Sequence, residues 1–307
     1  MSETREVYAA SDLANGGETF RTMKPPALFA VFGDPVAHSA SPPMHNAALK
    51  DRDIDAQYVR IRVTPENLQS ALRNLMPSGF LGVSLTIPHK QAALPLMDAV
   101  SHEARLMGAI NTVVVRDGKL QGFNTDGPGL SAAIEEEFGV PLKDLHVLIL
   151  GGAGGAGRAI TVQCALEGCP SITIANRNPE KGESLSAEIR ESLGNEVSSI
   201  SLHPEDLHAT LSSVDLIINA TPLGMKPGDP SPLPHLAEGL LNARHLIYDT
   251  VYSGGETALL RDSRGVGARF ANGFSMLLHQ GAFQNALWLG EPAPVEKMRI
   301  ALAGLKS

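Results

Sequence analysis

The run His146-Val-Leu-Ile-Leu150 is followed at once by glycine-rich chain, Gly152-Ala153-Gly154-Gly155-Ala156-Gly157, and this junction constrains the fold more than any other feature. A short apolar run bounded by glycines reads as a strand buried on both faces, and the helical pattern from Ala156 to Leu166 follows directly. The spacing G-x-G-x-x-G carries meaning in this strand–turn–helix setting and little outside it. There the first glycine allows a tight turn, the second lets the backbone approach a pyrophosphate, and the third lets helix and strand pack closely. Unpaired N–H groups at the positive end of the helix dipole favour the anion. Gly152, Ala153, Gly154, Gly155 and Ala156 are therefore candidate contacts to a dinucleotide.

The next strand, Ser171 to Ala175, decides which dinucleotide is expected. An acid at its end, about 20 residues beyond the glycines, would hold a ribose 2′-hydroxyl. The chain instead has Asn176-Arg177-Asn178 there. Arg177 can pair with a 2′-phosphate and lie against the adenine face, and Lys181 is near enough to help, so NADP is the expected cofactor.

Strands over Val214–Asn219 and His245–Tyr248, separated by helical patterns over Glu180–Leu193 and Pro204–Leu211, extend this region into a doubly wound sheet. Upstream, strand patterns at Ala27–Phe32, Gln57–Val63, Gly79–Ile87 and Asn111–Arg116 alternate with helices. One opens at Ser41 as N-cap with Pro42 in its first turn, and another after Thr64 carries Leu68, Leu72 and Leu75 on one face. The fold class is α/β, with two domains, the first built on a mainly parallel sheet. Long helices at Phe274–Leu289 and Pro294–Leu305 end the chain.

At 307 residues the chain has core enough for both domains. Its formal charge of −8 and the lack of a basic stripe argue against nucleic acid. No apolar stretch approaches the roughly 20 residues that span a bilayer, and Met1 to Lys24 has no leader-like apolar core. Cys164 and Cys169 are too few for a disulfide framework or zinc site, so two buried thiols and a cytoplasmic location are expected.

Three polar clusters of the first region exceed what packing needs. Ser39-Ala-Ser41 offers two hydroxyls at a helix entrance, where a carboxylate can bind. Ser84-Leu-Thr86-Ile-Pro-His-Lys90 ends an apolar strand and presents a lysine on the following loop, although a lone lysine is ordinarily surface charge. Asn124-Thr-Asp126-Gly is the third, and a plain turn would also explain it.

The blocks Gly-Asp-Pro-Val-Ala-His-Ser-Ala-Ser-Pro (33–42), Thr-Ile-Pro-His-Lys (86–90), Gly-Ala-Ile-Asn-Thr (108–112) and Gly-Phe-Asn-Thr-Asp-Gly (122–127) resemble the shikimate dehydrogenase family. So do Gly-Gly-Ala-Gly-Gly-Ala (151–156), Asn-Arg-Asn (176–178), Ile-Asn-Ala-Thr-Pro-Leu-Gly-Met (218–225), Tyr-Asp-Thr-Val-Tyr (248–252) and Met-Leu-Leu-His-Gln (276–280). The resemblance runs from about residue 28 to the end. It implies an N-terminal α/β substrate domain over 28–125 plus 274–307 and a Rossmann-type NADP-binding domain over 126–273; residues 1–27 lie outside it, and Ala14-Asn-Gly-Gly17 with little hydrophobic periodicity reads as a flexible tail. Lys90 and Asp126 would form the catalytic pair; Ser39, Ser41 and Tyr252 would hold the substrate carboxylate; Thr86, Asn111 and Gln280 would read ring hydroxyls. Gly152 to Ala156 and Asn176, Arg177, Asn178 and Lys181 would bind NADP, with Thr250, Gly273 and Met276 bordering the nicotinamide. The pattern usually has Asn where this chain has Ser84, which puts one substrate hydrogen bond in question, and Thr where it has Asn178.

The implied activity is reversible NADPH-dependent reduction of 3-dehydroshikimate to shikimate, in chorismate and aromatic amino acid biosynthesis. The partner is a small molecule, with neither nucleic acid nor membrane, and the protein a monomer or homodimer. Two alternatives stand beside it: a quinate/shikimate dehydrogenase of broader cofactor use, and a non-catalytic NADP-binding regulator. The last would have no reason to keep Lys90 with Asp126.

Overall fold

The computed structural model describes residues 6–233, 241–252 and 255–304. The chain divides into two compact units, Met1–Thr125 with Leu278–Ser307, and Asp126–Leu277.

The first unit carries a seven-stranded sheet: β1 (Tyr8–Ala9), β2 (Ala27–Gly33), β3 (Gln57–Arg62), β4 (Gly82–Leu85), β5 (Ala99–Val100), β6 (Thr112–Arg116) and β7 (Lys119–Phe123), in the order β1-β3-β2-β4-β6-β7-β5. β1, β3, β2 and β4 run parallel, as the alternation of strand and helix predicts. The far side departs from that expectation, because β6 is antiparallel to both β4 and β7. The β6–β7 pairing is local: Asp117 and Gly118, with φ of 53° and 69°, form a two-residue turn that pairs Arg116 with Lys119.

The expectation of a flexible tail over 1–27 fails for the described part of it. β1 adds a strand beside β3, and Leu13 and Phe20 are fully buried. Phe20 meets Tyr8 and Phe80 edge-on, with centroids 5.2 and 5.1 Å apart. Gly17, which looked like a loop signal, is a close approach: at φ 60° its missing Cβ would lie 2.4 Å from the Ser78 side chain. Three apolar residues at irregular spacing leave no periodicity to read, and Phe80 and Ser78 lie some sixty residues downstream.

The second unit holds β8 (His146–Leu150), β9 (Ser171–Ala175), β10 (Val197–Ile200), β11 (Leu216–Asn219), β12 (Leu246–Asp249) and β13 (Arg269–Asn272), all parallel, in the order β10-β9-β8-β11-β12-β13. β10 and β13, too polar to stand out in the sequence, complete its edges. Its core is aliphatic, with Leu148, Ile217 and Ile247 fully buried in the central strands. Among the described residues no helix is long and apolar enough to cross a membrane.

Candidate functional site

In the second unit the strand order reverses between β8 and β11, and ligands of such sheets bind beyond the carboxyl ends of the strands at that point. The glycine turn lies there. The tight conformation belongs to Gly151, φ 78°, one position before the residue to which the spacing assigns it. Gly152 is a packing glycine instead, since a Cβ on it would come within 3.0 Å of Ile174 and Thr161. A Cβ on Gly157 would lie 2.1 Å from the Gly151 carbonyl oxygen, so the helix Gly155–Glu167 could not pack on β8 with any larger residue. Beyond Gly155 there is open space within 4 Å, beside the first-turn N–H groups that no helical carbonyl reaches. Thr161 Oγ1 closes the turn, donating toward the carbonyls of Gly152 (3.1 Å) and Gly157 (2.9 Å).

At the end of β9, Asn178 caps the helix Pro179–Leu193, its side chain accepting from the Lys181 N–H, and Asn176 donates to the Asn178 carbonyl at 2.8 Å. These bonds hold a loop on which Arg177 and Lys181 stay exposed. Thr250, after β12, donates its N–H and its hydroxyl to the Asn219 carbonyl. Gly273, after β13, lies so close that a Cβ would be 2.1 Å from the Thr250 carbonyl oxygen. Met276 donates its N–H to the Tyr248 hydroxyl at 3.0 Å. Asp126 opens the helix Asp126–Phe138, and Tyr252 is 42% exposed.

Sequence reasoning missed the residues that tie these loops together. The buried Asp249 carboxylate accepts from Asn219 (2.9 Å), Thr257 (2.6 Å) and the Val251 N–H (3.1 Å). Burial raises its pKa above the usual range, and those three hydrogen bonds oppose the shift. Asn219 in turn accepts from Thr221, whose methyl lies against Gly151. The signal was present in Ile218-Asn-Ala-Thr-Pro222, where a polar pair follows an apolar strand.

In the first unit, β2 and β4 deliver the polar clusters. Ser39, not Ser41, acts at the helix entrance: Ala40 is the cap residue of Ser41–Asp51, and the Ser41 N–H points to Ser39 Oγ at 3.4 Å. Pro42 and Pro43 remove two backbone donors from that helix end, so an anion there would depend on the hydroxyls. Arg60 fixes the loop by donating twice to the Ser39 carbonyl. Thr86 follows β4, and its methyl requires glycine at position 33, where a Cβ would lie 2.4 Å away. His89 is buried, its Nε2 2.7 Å from the Val63 carbonyl, and burial lowers its pKa; it anchors the loop that presents Lys90. Lys90 is half-buried, and its carbonyl accepts from the Ile110 N–H at 2.8 Å, beside Asn111.

Asn111 and Gln280 come together. Asn111, 1% exposed, accepts from the N–H and hydroxyl of Thr125 and from Thr112, and its amide nitrogen lies 3.4 Å from Gln280 Oε1. Ser84 is buried and spoken for: it accepts from Tyr58 at 2.7 Å and donates to Gln284 at 2.8 Å. Tyr58 stacks on His45, centroids 4.4 Å apart, and burial holds His45 neutral, its pKa lowered to about 3. Cys164 and Cys169 are buried and free, and no cluster of metal-binding side chains occurs among the described residues.

With that geometry in place, the comparisons are specific. The family model for the shikimate dehydrogenase substrate-binding domain matches residues 31–113, that for shikimate / quinate 5-dehydrogenase 133–224, and that for the shikimate 5′-dehydrogenase C-terminal domain 273–302. A shikimate dehydrogenase (NADP(+)) of Desulforamulus reducens is 43% identical over 273 residues, 89% of this chain and 93% of the relative. Among solved structures, shikimate 5-dehydrogenase from Listeria monocytogenes, in complex with shikimate and NAD, superposes with a TM-score of 0.84 at 31% identity, covering 90% of this chain and 96% of its own. Shikimate 5-dehydrogenase from Thermus thermophilus, in complex with NADP(H) and shikimate, gives a TM-score of 0.79 at 36% identity, covering 90% and 98%.

Proposed function

The chain belongs to the shikimate dehydrogenase family, and from that premise we propose that it catalyses the reversible NADPH-dependent reduction of 3-dehydroshikimate to shikimate, a step toward chorismate and the aromatic amino acids. The observation that carries the reading is the pairing, within one chain, of a glycine turn open at Gly155 with the buried Asn111–Gln280 amide pair.

The second unit fits NADP. Open space at Gly155 and the first-turn N–H groups suit a pyrophosphate, with Gly152, Ala153, Gly154 and Ala156 forming the rest of the cradle. Exposed Arg177 and Lys181, on a loop set by Asn176 and Asn178, suit the 2′-phosphate. Thr250, Gly273 and Met276 would border the nicotinamide. When bound, NADPH supplies the hydride to the ketone carbon and NADP takes it back in the reverse reaction.

The protein's own residues then manage charge and orientation. As the ketone becomes an alkoxide, the Lys90 ammonium donates a proton to that oxygen, and in the reverse direction the amine takes it back. Asp126 accepts a hydrogen bond from the reacting or neighbouring hydroxyl and balances the ammonium. Ser39, Ser41 and Tyr252 hold the ring carboxylate, and Thr86, Asn111 and Gln280 fix the hydroxyl pattern. The reading takes the first unit, Met1–Thr125 with Leu278–Ser307, as the substrate domain and the second, Asp126–Leu277, as the NADP-binding domain; the expected bounds of 28 and 273/274 give way because the segment before 28 packs into the first core and the helix from Phe274 is shared out at Leu277. It extends to a cytoplasmic protein, monomeric or homodimeric. Steady-state rates with shikimate and quinate, each with NADP and NAD, test it; shikimate with NADP gives the highest kcat/KM, and faster oxidation of quinate overturns the assignment.

A further inference from the structure

Gln284 has no role in the reading above, yet it lies 2% exposed at the centre of a polar network in the first unit. The directions of its hydrogen bonds follow from counting donors. Burial pushes the Tyr58 phenol up, so it stays a donor; its proton goes to Ser84 Oγ at 2.7 Å, and the Ser41 hydroxyl is its second hydrogen-bond partner. Ser84 then has one proton to give, and gives it to Gln284 Oε1 at 2.8 Å. Neutral His45 brings Nε2 to 3.3 Å of the same oxygen. The carbonyl end of Gln284 is thereby fixed, and its amide nitrogen faces Gln280 Oε1 at 2.9 Å and the Asn111 carbonyl at 3.4 Å. Gln280 Oε1 also faces the Asn111 amide nitrogen, so it is the acceptor end, and the Gln280 amide nitrogen is the end directed elsewhere.

We propose that Gln284 is a positioning residue for the reduction: through the chain Tyr58–Ser84–Gln284 it sets which way the Gln280 amide points, so that Gln280 offers a donor, rather than an acceptor, to a ring hydroxyl of the substrate. Without it only the longer 3.4 Å contact from the Asn111 amide nitrogen holds the Gln280 oxygen in place, and the selection of that hydroxyl weakens. Gln284 contacts no substrate in this scheme. The inference rests on Gln280 being a substrate contact, as in the function proposed above.

The test is a double-mutant cycle in the full-length enzyme, with Gln284→Met, which keeps length and volume, and Gln280→Ala. Gln284→Met raises the KM for shikimate about tenfold, the effect of one mis-set hydrogen bond in a buried site, with kcat within about threefold and the KM for NADP unchanged. In the Gln280→Ala background the same substitution changes the shikimate KM less than about twofold, because the group it positions is gone. A wild-type KM in Gln284→Met, or an equal factor in both backgrounds, overturns the positioning role while leaving the function standing. An unchanged KM in Gln280→Ala alone removes Gln280 from the substrate site and overturns the positioning role with it, while the reaction itself is tested separately by the shikimate and quinate rates. Ser84→Ala serves as the second variant should Gln284→Met not fold, and a KM effect that likewise vanishes in the Gln280→Ala background is the result expected; a persistent one overturns the relay.

Discussion

The two units of this chain build their candidate sites from different materials. In the second, the site is backbone: Gly151 turns the chain at φ 78°, Gly157 admits a carbonyl 2.1 Å from where a Cβ would be, and the open side of Gly155 faces helix N–H groups. In the first, it is side chains: Asn111, Thr125, Gln280, Gln284 and Ser84 meet from segments up to 200 residues apart. A backbone site excludes side chains at its close approaches, here Gly151 and Gly157, but needs few partners. A side-chain site can accept substitution, yet every buried polar atom in it needs a partner. Ser84 in place of the usual Asn fits this, since its hydroxyl is fully used between Tyr58 and Gln284.

The largest effect expected from breaking either half is at Lys90. Lys90→Ala lowers kcat by roughly 10²–10⁴, the usual contribution of a positioned proton donor, and calorimetry finds NADP binding intact. Comparable turnover in the variant would remove the lysine from the chemistry.

Next comes the backbone site. Gly157→Ala forces a methyl onto the Gly151 carbonyl, an overpacking that costs about 1–3 kcal/mol. Thermal unfolding shows the loss, and the KM for NADP rises at least tenfold while shikimate binding in the absence of cofactor, followed by calorimetry, holds. A neutral outcome would mean that helix and strand can separate without disturbing the turn.

Arg177→Ala sharpens the comparison more gently. Losing one exposed charge-assisted pair costs about 1.5 kcal/mol, so the KM for NADP rises about tenfold and that for NAD little. Equal changes for both cofactors would show that the arginine reads adenine, not the 2′-phosphate.

Acid acts on stability rather than on turnover, and its sign differs between the units. His45, with its folded pKa lowered to about 3 by burial, is charged when unfolded below about 6.5. The unfolded chain therefore binds more protons between those values, and His45 costs the first unit up to about 1.4 kcal/mol per pH unit as pH falls. Asp249 has its folded pKa raised, so in the second unit the folded chain takes the proton first, and acid favours folding at that position. Denaturant titrations of wild type and His45→Asn from pH 7 to pH 5 measure this; the variant's stability should fall less steeply, and parallel slopes would contradict the assignment.

The same contrast explains what could be read in advance. β8, the glycine turn and the helix after it are contiguous, so burial, turn and packing all leave marks within a dozen residues. Asn111 and Gln280 lie 169 residues apart, and only resemblance brought them into one list. Tyr58 and Gln284 carry no local pattern: each is an ordinary polar or aromatic residue until Ser84 lies between them. The segment before residue 27 misled for the same reason. Leu13 and Phe20 are core residues only because Phe80 and Ser78 return to meet them, and the glycine at 17 that suggests looseness is required by contact. The hairpin of β6 and β7, by contrast, was announced by Asp117-Gly118 and could have been found.

The most direct measurement is a crystal structure of the ternary complex with NADP and shikimate. The pyrophosphate should lie on the N–H groups at 154–156, Arg177 on the 2′-phosphate, and the Gln280 amide nitrogen, its oxygen still facing Gln284, within hydrogen-bond reach of a ring hydroxyl. A ring bound away from Lys90, Asn111 and Gln280, or a dinucleotide that avoids the glycine turn, would contradict the account at its root.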